Sequence, residues 1–322
     1  MDGRVIDGHC DAILKLLEHP EAAFDGSGSL LDVKPDRLRE GRIALQSFAL
    51  FLPPEMAGDP FLNVLKAIDV FYEKIVKPAG LKVVTSRRDL DLVDKQGKTG
   101  ALLTLEGAEA IGGDWSRLRI LHRLGLRAAQ LTWNHANWAA DGALEPRGAG
   151  LTKAGKNMIV ECEKMGILID VSHLSEKAFW DVAETAKRPF YASHSNVYEL
   201  CPHPRNLKRD QIEAIIRAGG IIGLTFVPDF TVPGGEKAAA EDLFRHIEYV
   251  AELGGARHLA FGSDFDGIDS WLAGLEHPGK YADFRGLLAR RYGEEAADAW
   301  LYGNWRRFLS ENLPAENEYN PI

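Results

Sequence analysis

A chain of 322 residues with 45% hydrophobic content can bury one large core. Its formal charge of −9 and the absence of any dense Lys/Arg block argue against a nucleic-acid partner or an anionic membrane surface. Cys10, Cys162 and Cys201 form an odd set without C-x-x-C spacing, so neither a disulfide framework nor a thiolate zinc site is suggested.

Short apolar runs alternate with helical patterns along the chain. The first, "RVIDGHCD" at 4–11, carries His9 and Asp11 two positions apart, so in a strand both side chains would face one way and Cys10 the other. "IALQSFALFL", "GALLTLEG" and "LRAAQLTWNH" follow, then "GILIDVSH", "PFYASHS", "GGIIGLTF" and "HLAFGSD", making eight candidate strands. Between them, "TKAGKNMIVECEKMG" places Met158, Ile159, Cys162 and Met165 on one helical face, with Thr152 to cap its start and Gly166 to close its end. "SRLRILHRLG" and "DQIEAIIRAGG" follow the same period. Eight strands alternating with helices predict a (β/α)8 TIM barrel, an α/β fold, and no composition break divides residues 1–322 into more than one domain. A doubly wound nucleotide-binding sheet is disfavoured because neither G-x-G-x-x-G nor a P-loop occurs.

In a barrel the C-terminal ends of the strands converge on one face. Strand one ends with His9 and Asp11, strand three with Glu106, strand five with His173, strand six with His194 and strand eight with Asp264. A buried histidine is ordinarily structural, yet four of ten histidines, His9, His135, His173 and His194, close strands here. Imidazole and carboxylate without thiolate point to two divalent metal ions, Zn²⁺ first, with Mn²⁺, Fe²⁺ and Co²⁺ as alternatives. His9 and Asp11 would hold one ion, His173 and His194 the other, and Glu106 would bridge them. No lysine ends strand four, which reads Trp133-Asn134-His135, so a carbamylated lysine is not expected. Two ions about 3.5–4 Å apart can share a water and lower its pKa from 15.7 towards ~7. That is hydrolytic chemistry, with Asp264 as the natural proton shuttle. The neighbouring "SDFDGIDS" is no calcium loop: counted from Asp264, positions 6 and 12 hold Asp269 and Leu275 instead of Gly and Glu.

The motifs "DGHCD", "LEG", "LTWNHAN", "GLTKAGKNMIVECEKMGILIDVSHLSEKAFWDV", "ASHSNVYELCPHPRNL" and "FGSDFDGI" resemble, in order, the membrane (renal) dipeptidase family of the amidohydrolase superfamily, particularly its bacterial soluble members. The resemblance implies a binuclear zinc dipeptidase with the ligands named above and Asp264 as acid/base. It also implies that His135 contacts the substrate carbonyl and supports the tetrahedral intermediate, and that Arg205 binds the substrate carboxylate. Dipeptides with an L-residue first and an L- or D-residue second are the implied substrates, and a homodimer is a further expectation. The chain departs from the family at Cys10, where Asn is usual, and at Thr225 in "GLTF", where "GVNF" is usual. It carries no recognisable secretion or anchor signal and no run of about 18 apolar residues, so a soluble cytoplasmic enzyme without a membrane partner is expected. Residues 137–150, with Trp138 and Gly142, and the "VPDFTVPGGEKAAAED" loop are candidates for lid and pocket walls. The competing readings are a cyclic-amide or lactone hydrolase on the same barrel, which would not need Arg205, and a silent paralogue, which would lose Glu106 or Asp264.

Overall fold

A computed structural model of the chain describes residues 3–25 and 30–317. The apolar runs become nine parallel strands: β1 (Val5–Asp7), β2 (Ile43–Phe51), β3 (Lys82–Val83), β4 (Gly100–Glu106), β5 (Leu126–Gln130), β6 (Leu168–Asp170), β7 (Phe190–Tyr191), β8 (Ile222–Leu224) and β9 (Leu259–Phe261). Hydrogen bonding runs in the order β1-β2-β4-β5-β6-β7, while β8 pairs with β9. A parallel bridge between Ala192 and Ile222 joins β7 to β8. The Gly8 amide donates to the Phe261 carbonyl at 3.0 Å, joining β9 back to β1. The ring is thus an eight-stranded parallel barrel, as the alternation predicts. The ninth strand, β3, was not foreseen; its two residues pair only with Gly100 and Ala101 at the start of β4, too short a run to carry a period.

Alternation sorts the side chains of each strand. Ile6, Leu102, Ala128, Leu168, Tyr191 and Ala260, from six different strands, meet Trp305 and Phe308 of the helix Asn304–Asn312 in one apolar cluster. Their neighbours Val5, Leu103, Ala129, Ile169, Phe190 and Phe261 belong to the larger cluster shared with the surrounding helices. The ring is tight where β8 and the turn after β9 pass β7. A Cβ on Gly223 or Gly262 would lie 2.0 Å from the Ser193 carbonyl oxygen, so only glycine fits there.

The helices follow their sequence signals. Thr152 accepts a hydrogen bond from the Gly155 amide at 2.9 Å and caps Lys153–Lys164, whose Met158, Ile159 and Cys162 are buried. Gly166 closes that turn with φ 70°. Trp115–Arg123 and Arg209–Arg217 occupy the other two expected positions. Among the described residues no helix is long and apolar enough to cross a membrane.

Candidate metal centre and active site

Apart from β4, which ends on Glu106 itself, the strands stop before the residues that matter. β1 ends at Asp7 and β6 at Asp170, and in both cases this last aspartate pins the turn that follows. Asp7 accepts from the Ser263 amide (2.8 Å) and hydroxyl (2.6 Å). Asp170 accepts from the Ser172 and Ser193 amides, each at 3.0 Å. Burial pushes the Asp7 carboxyl up to about 6 and raises that of Asp170, although the surrounding donors oppose the shift. These bonds tie the turn after β9 to the end of β1, and the turns after β6 and β7 to the end of β6.

On this base His9, Asp11, Glu106, His173 and His194 converge, all buried. His9 Nε2 lies 3.3 Å from Asp11 Oδ2, 3.2 Å from Glu106 Oε2 and 3.7 Å from Asp264 Oδ1. The other Glu106 oxygen, Oε1, lies 2.9 Å from His173 Nε2 and 3.9 Å from His194 Nε2. One carboxylate therefore faces two donor pairs, one oxygen to each. Among the described residues, donor atoms fall into three groups that could hold an ion: His9, Asp11 and Glu106; Glu106, His173 and His194; and His9, His194 and Asp264. His9 and Asp11 come together as the i, i+2 spacing suggests, but from the turn after β1. Cys10 between them bridges to Phe265 and is fully buried.

The cluster is oriented from behind. Asn134 Oδ1 accepts from His173 Nδ1 at 2.7 Å, which leaves Nε2 to face Glu106. Ser193 Oγ lies 2.6 Å from His194 Nδ1 and does the same for that ring, which stacks on His9 at 3.9 Å between centroids. Burial, with the nearby Arg205 charge, pushes His173 down to about 3 and lowers His194 strongly. Both rings are held neutral, the form that binds metals. Burial works against the Glu106 carboxylate, yet His9 and His173 hold it ionised, well below the usual range. Asp264 is pushed up to about 7 by burial, and the Asp11 and Glu106 charges add to this. His173, Asp264 and Asp266 have φ of 69°, 70° and 68°, a left-handed backbone that costs a non-glycine residue roughly 1–2 kcal/mol.

Arg205 is buried at the same place. Its Nη2 donates to the His194 carbonyl at 3.2 Å, while Nε has no partner. The guanidinium lies over Phe230 at 5.5 Å. His135 is exposed beside the site, and its neighbours Trp133 and Asn134 line the central cavity. β5 ends at Gln130, and beyond it the strand period no longer decides which side chain points inward. Thr225 lies behind the site, its amide bonded to Asn196 Oδ1 at 3.0 Å. Of the two candidate wall loops, one supplies Ala143, Glu145 and Gly148, the other Val227 and Phe230. Trp138 turns away to donate to the Ala108 carbonyl at 2.6 Å. Sequence reasoning missed Asn134, Ser193, Trp133 and Asp266; only Ser193, adjacent to the ligand-type His194, gave any signal.

A parallel barrel with buried imidazoles and carboxylates at the C-terminal ends of its strands defines the class of metal-dependent hydrolases. Within that class the chain belongs to the membrane dipeptidase family, peptidase family M19, whose family model matches residues 2–320. It is 32% identical over 310 residues to dipeptidase aclJ of Aspergillus oryzae, spanning 89% of this chain and 74% of that one. It is 33% identical over 269 residues to an uncharacterized protein in the pqqA 5′ region of Klebsiella pneumoniae, spanning 78% of this chain and 97% of that one. A metallopeptidase from Rhodobacter sphaeroides, solved with a phosphinate mimic of the dipeptide L-Ala-D-Ala, superposes with a TM-score of 0.89 at 27% identity, covering 96% of this chain and 99% of that one. The solved dipeptidase AC of family M19 gives a TM-score of 0.89 at 28% identity, covering 97% and 99%. The chain is accordingly a dipeptidase-class hydrolase of a metallopeptidase family.

Proposed function

We propose that this protein hydrolyses dipeptides with two divalent metal ions, Zn²⁺ in the first place. His9 and Asp11 would hold one, His173 and His194 the other, and Glu106 would serve both. The observation that carries this reading is the division of the Glu106 oxygens, one 3.2 Å from His9 and the other 2.9 Å from His173. The donor set also fits a metal pair because His9 Nε2 and Asp11 Oδ1 are buried without a hydrogen-bond partner, which costs free energy unless something else binds there. When bound, such ions polarise the scissile carbonyl and lower the pKa of water.

The chain's own groups do the rest. Arg205 holds the substrate's free carboxylate through its unpartnered Nε edge. Asp264, whose Oδ1 lies 3.7 Å from His9 Nε2, can accept a proton and return it to the departing amine nitrogen. Asn134 and Ser193 keep the two imidazoles in the tautomer that presents Nε2. His135, exposed beside Asn134, would contact the substrate carbonyl and support the tetrahedral intermediate. An L-residue followed by an L- or D-residue is the substrate pattern, and the phosphinate mimic of L-Ala-D-Ala bound by the Rhodobacter sphaeroides relative supports the D-form. A reducing, cytoplasmic setting suits three buried free cysteines.

Elemental analysis of metal-loaded protein, run beside a library of L-Xaa-L-Xaa and L-Xaa-D-Xaa dipeptides, tests this. The expectation is two ions per chain and release of free amino acids, both reduced in Glu106→Gln. Two tightly held ions with ordinary turnover in that variant would remove Glu106 as the bridge.

A further inference from the structure

Two cavities of opposite character meet at His173 and Arg205, the residues common to both linings. The first, about 330 Å³, holds six carboxylates against two cations, Lys15 and Arg205. Setting aside the ligand-type Asp11 and Glu106, Glu18, Asp264, Asp266 and Asp269 remain. The second, about 350 Å³, holds Arg205, Lys177 and Lys208 against Glu145 and Glu176, and Glu176 is already paired with Lys208 at 2.6 Å. Its wall also contains Ser195, whose buried hydroxyl has no partner.

A dipeptide has one charge of each sign, one at each end. Resting on the dipeptidase reading, we propose that its ammonium end enters the acidic cavity and its carboxylate end the other, and that Trp133 makes the enzyme selective for a large apolar or aromatic N-terminal residue. The acidic cavity is not acidic throughout: Leu14, Phe51, Trp133, Val227, Phe230 and Ile268 line it as well. Phe51 and Trp133 pack at 5.0 Å between centroids, and Trp133 reaches His173 at 6.2 Å, so the indole stands between the apolar wall and the metal cluster. A first side chain extending from a carbonyl held at that cluster meets this indole. Aromatic surfaces of this kind favour an aromatic or long aliphatic partner. The second cavity has Phe179 and Tyr198 in its wall, but Phe179 packs against Phe190 and Tyr198 faces Lys208 at 5.6 Å.

The test compares L-Phe-Ala, L-Ala-Phe and L-Ala-Ala, each with an L- and a D-residue at the carboxyl end, on metal-loaded protein and on Trp133→Ala and Trp133→Phe. Unmodified enzyme should show kcat/KM for Phe-Ala about tenfold or more above that for Ala-Phe. The Phe-Ala to Ala-Ala ratio should fall towards one in Trp133→Ala and stay high in Trp133→Phe. A preference for Ala-Phe would overturn the orientation. A Trp133→Ala protein that slows all three substrates by one common factor would make Trp133 a structural support and overturn the selectivity. If no dipeptide is turned over by metal-loaded enzyme, the dipeptidase reading itself fails, and this inference fails with it.

Discussion

Replacing Arg205 with lysine keeps the positive charge and removes the planar fork. The residue is 4% exposed, and burial pushes its pKa down only to about 10, so it is charged at neutral pH. One N–H edge is spent on the His194 carbonyl and Nε is unspent; Phe230 beneath fixes the plane. A carboxylate docking there gains charge-assisted hydrogen bonds worth about 1.5–3 kcal/mol each. Lysine can supply one of two, so kcat/KM on a dipeptide should fall by a factor of about 10–150. The assay is a cycle of two enzymes and two substrates, a dipeptide and its C-terminal amide. The amide should be poor for the unmodified enzyme, and Arg205→Lys should lose little more on it, giving a coupling of at least about 1.5 kcal/mol. Equal rates on dipeptide and amide with the unmodified enzyme would refute the carboxylate anchor and favour a cyclic-amide or lactone hydrolase.

Asp264→Asn should retain its metal while turnover falls on the order of 10²–10⁴-fold; metal loss in step with activity, read by elemental analysis, would make Asp264 chiefly a ligand. Asn134→Ala removes the acceptor of His173 Nδ1, and a competition titration with a metal-binding dye should show affinity weaker by about 10–100-fold. His246 is buried neutral, accepting from the Val197 amide at Nδ1 (3.1 Å) and facing the Thr231 carbonyl with Nε2 (2.8 Å), and burial lowers its pKa. With the folded pKa below the unfolded value of about 6.5, the unfolded chain binds the extra proton, so stability is full above that pH and falls as pH drops through it. Urea unfolding should show a shallower loss from pH 7.5 to 5.5 in His246→Gln than in the parent, by up to about 1.4 kcal/mol per pH unit; identical slopes would contradict the assignment.

The barrel was legible because its strands repeat one pattern, an apolar run ended by a polar residue, and because Thr152 and Gly166 mark helix ends in the usual chemistry. The cluster was legible from residue type alone: histidines and carboxylates at strand ends have few other reasons to gather. Trp133 and Asn134 were hidden for the opposite reason. After Gln130 the chain leaves the strand, the Asn134 carbonyl accepts from the Leu144 amide at 2.8 Å, and the turn so made, which no periodic rule describes, places Trp133 and Asn134 on the cavity wall. The unpaired Nε of Arg205 and hydroxyl of Ser195 are facts about burial, and burial of a loop residue depends on segments far away in the chain.

The left-handed backbone at His173, Asp264 and Asp266 bears on how this enzyme would age without selection. Packing rewards the residues of the core, so they persist whether or not the site works. His173 and Asp264 are different: glycine would relieve the backbone, and only the chemistry of the side chain opposes the change, whereas Asp266 is also held by the Asp32 and Val33 amides that donate to it. A copy released from catalysis should therefore drift first to glycine or asparagine at 173 and 264, while 266 and the barrel stay intact. This chain has His173 and Asp264 at those two positions.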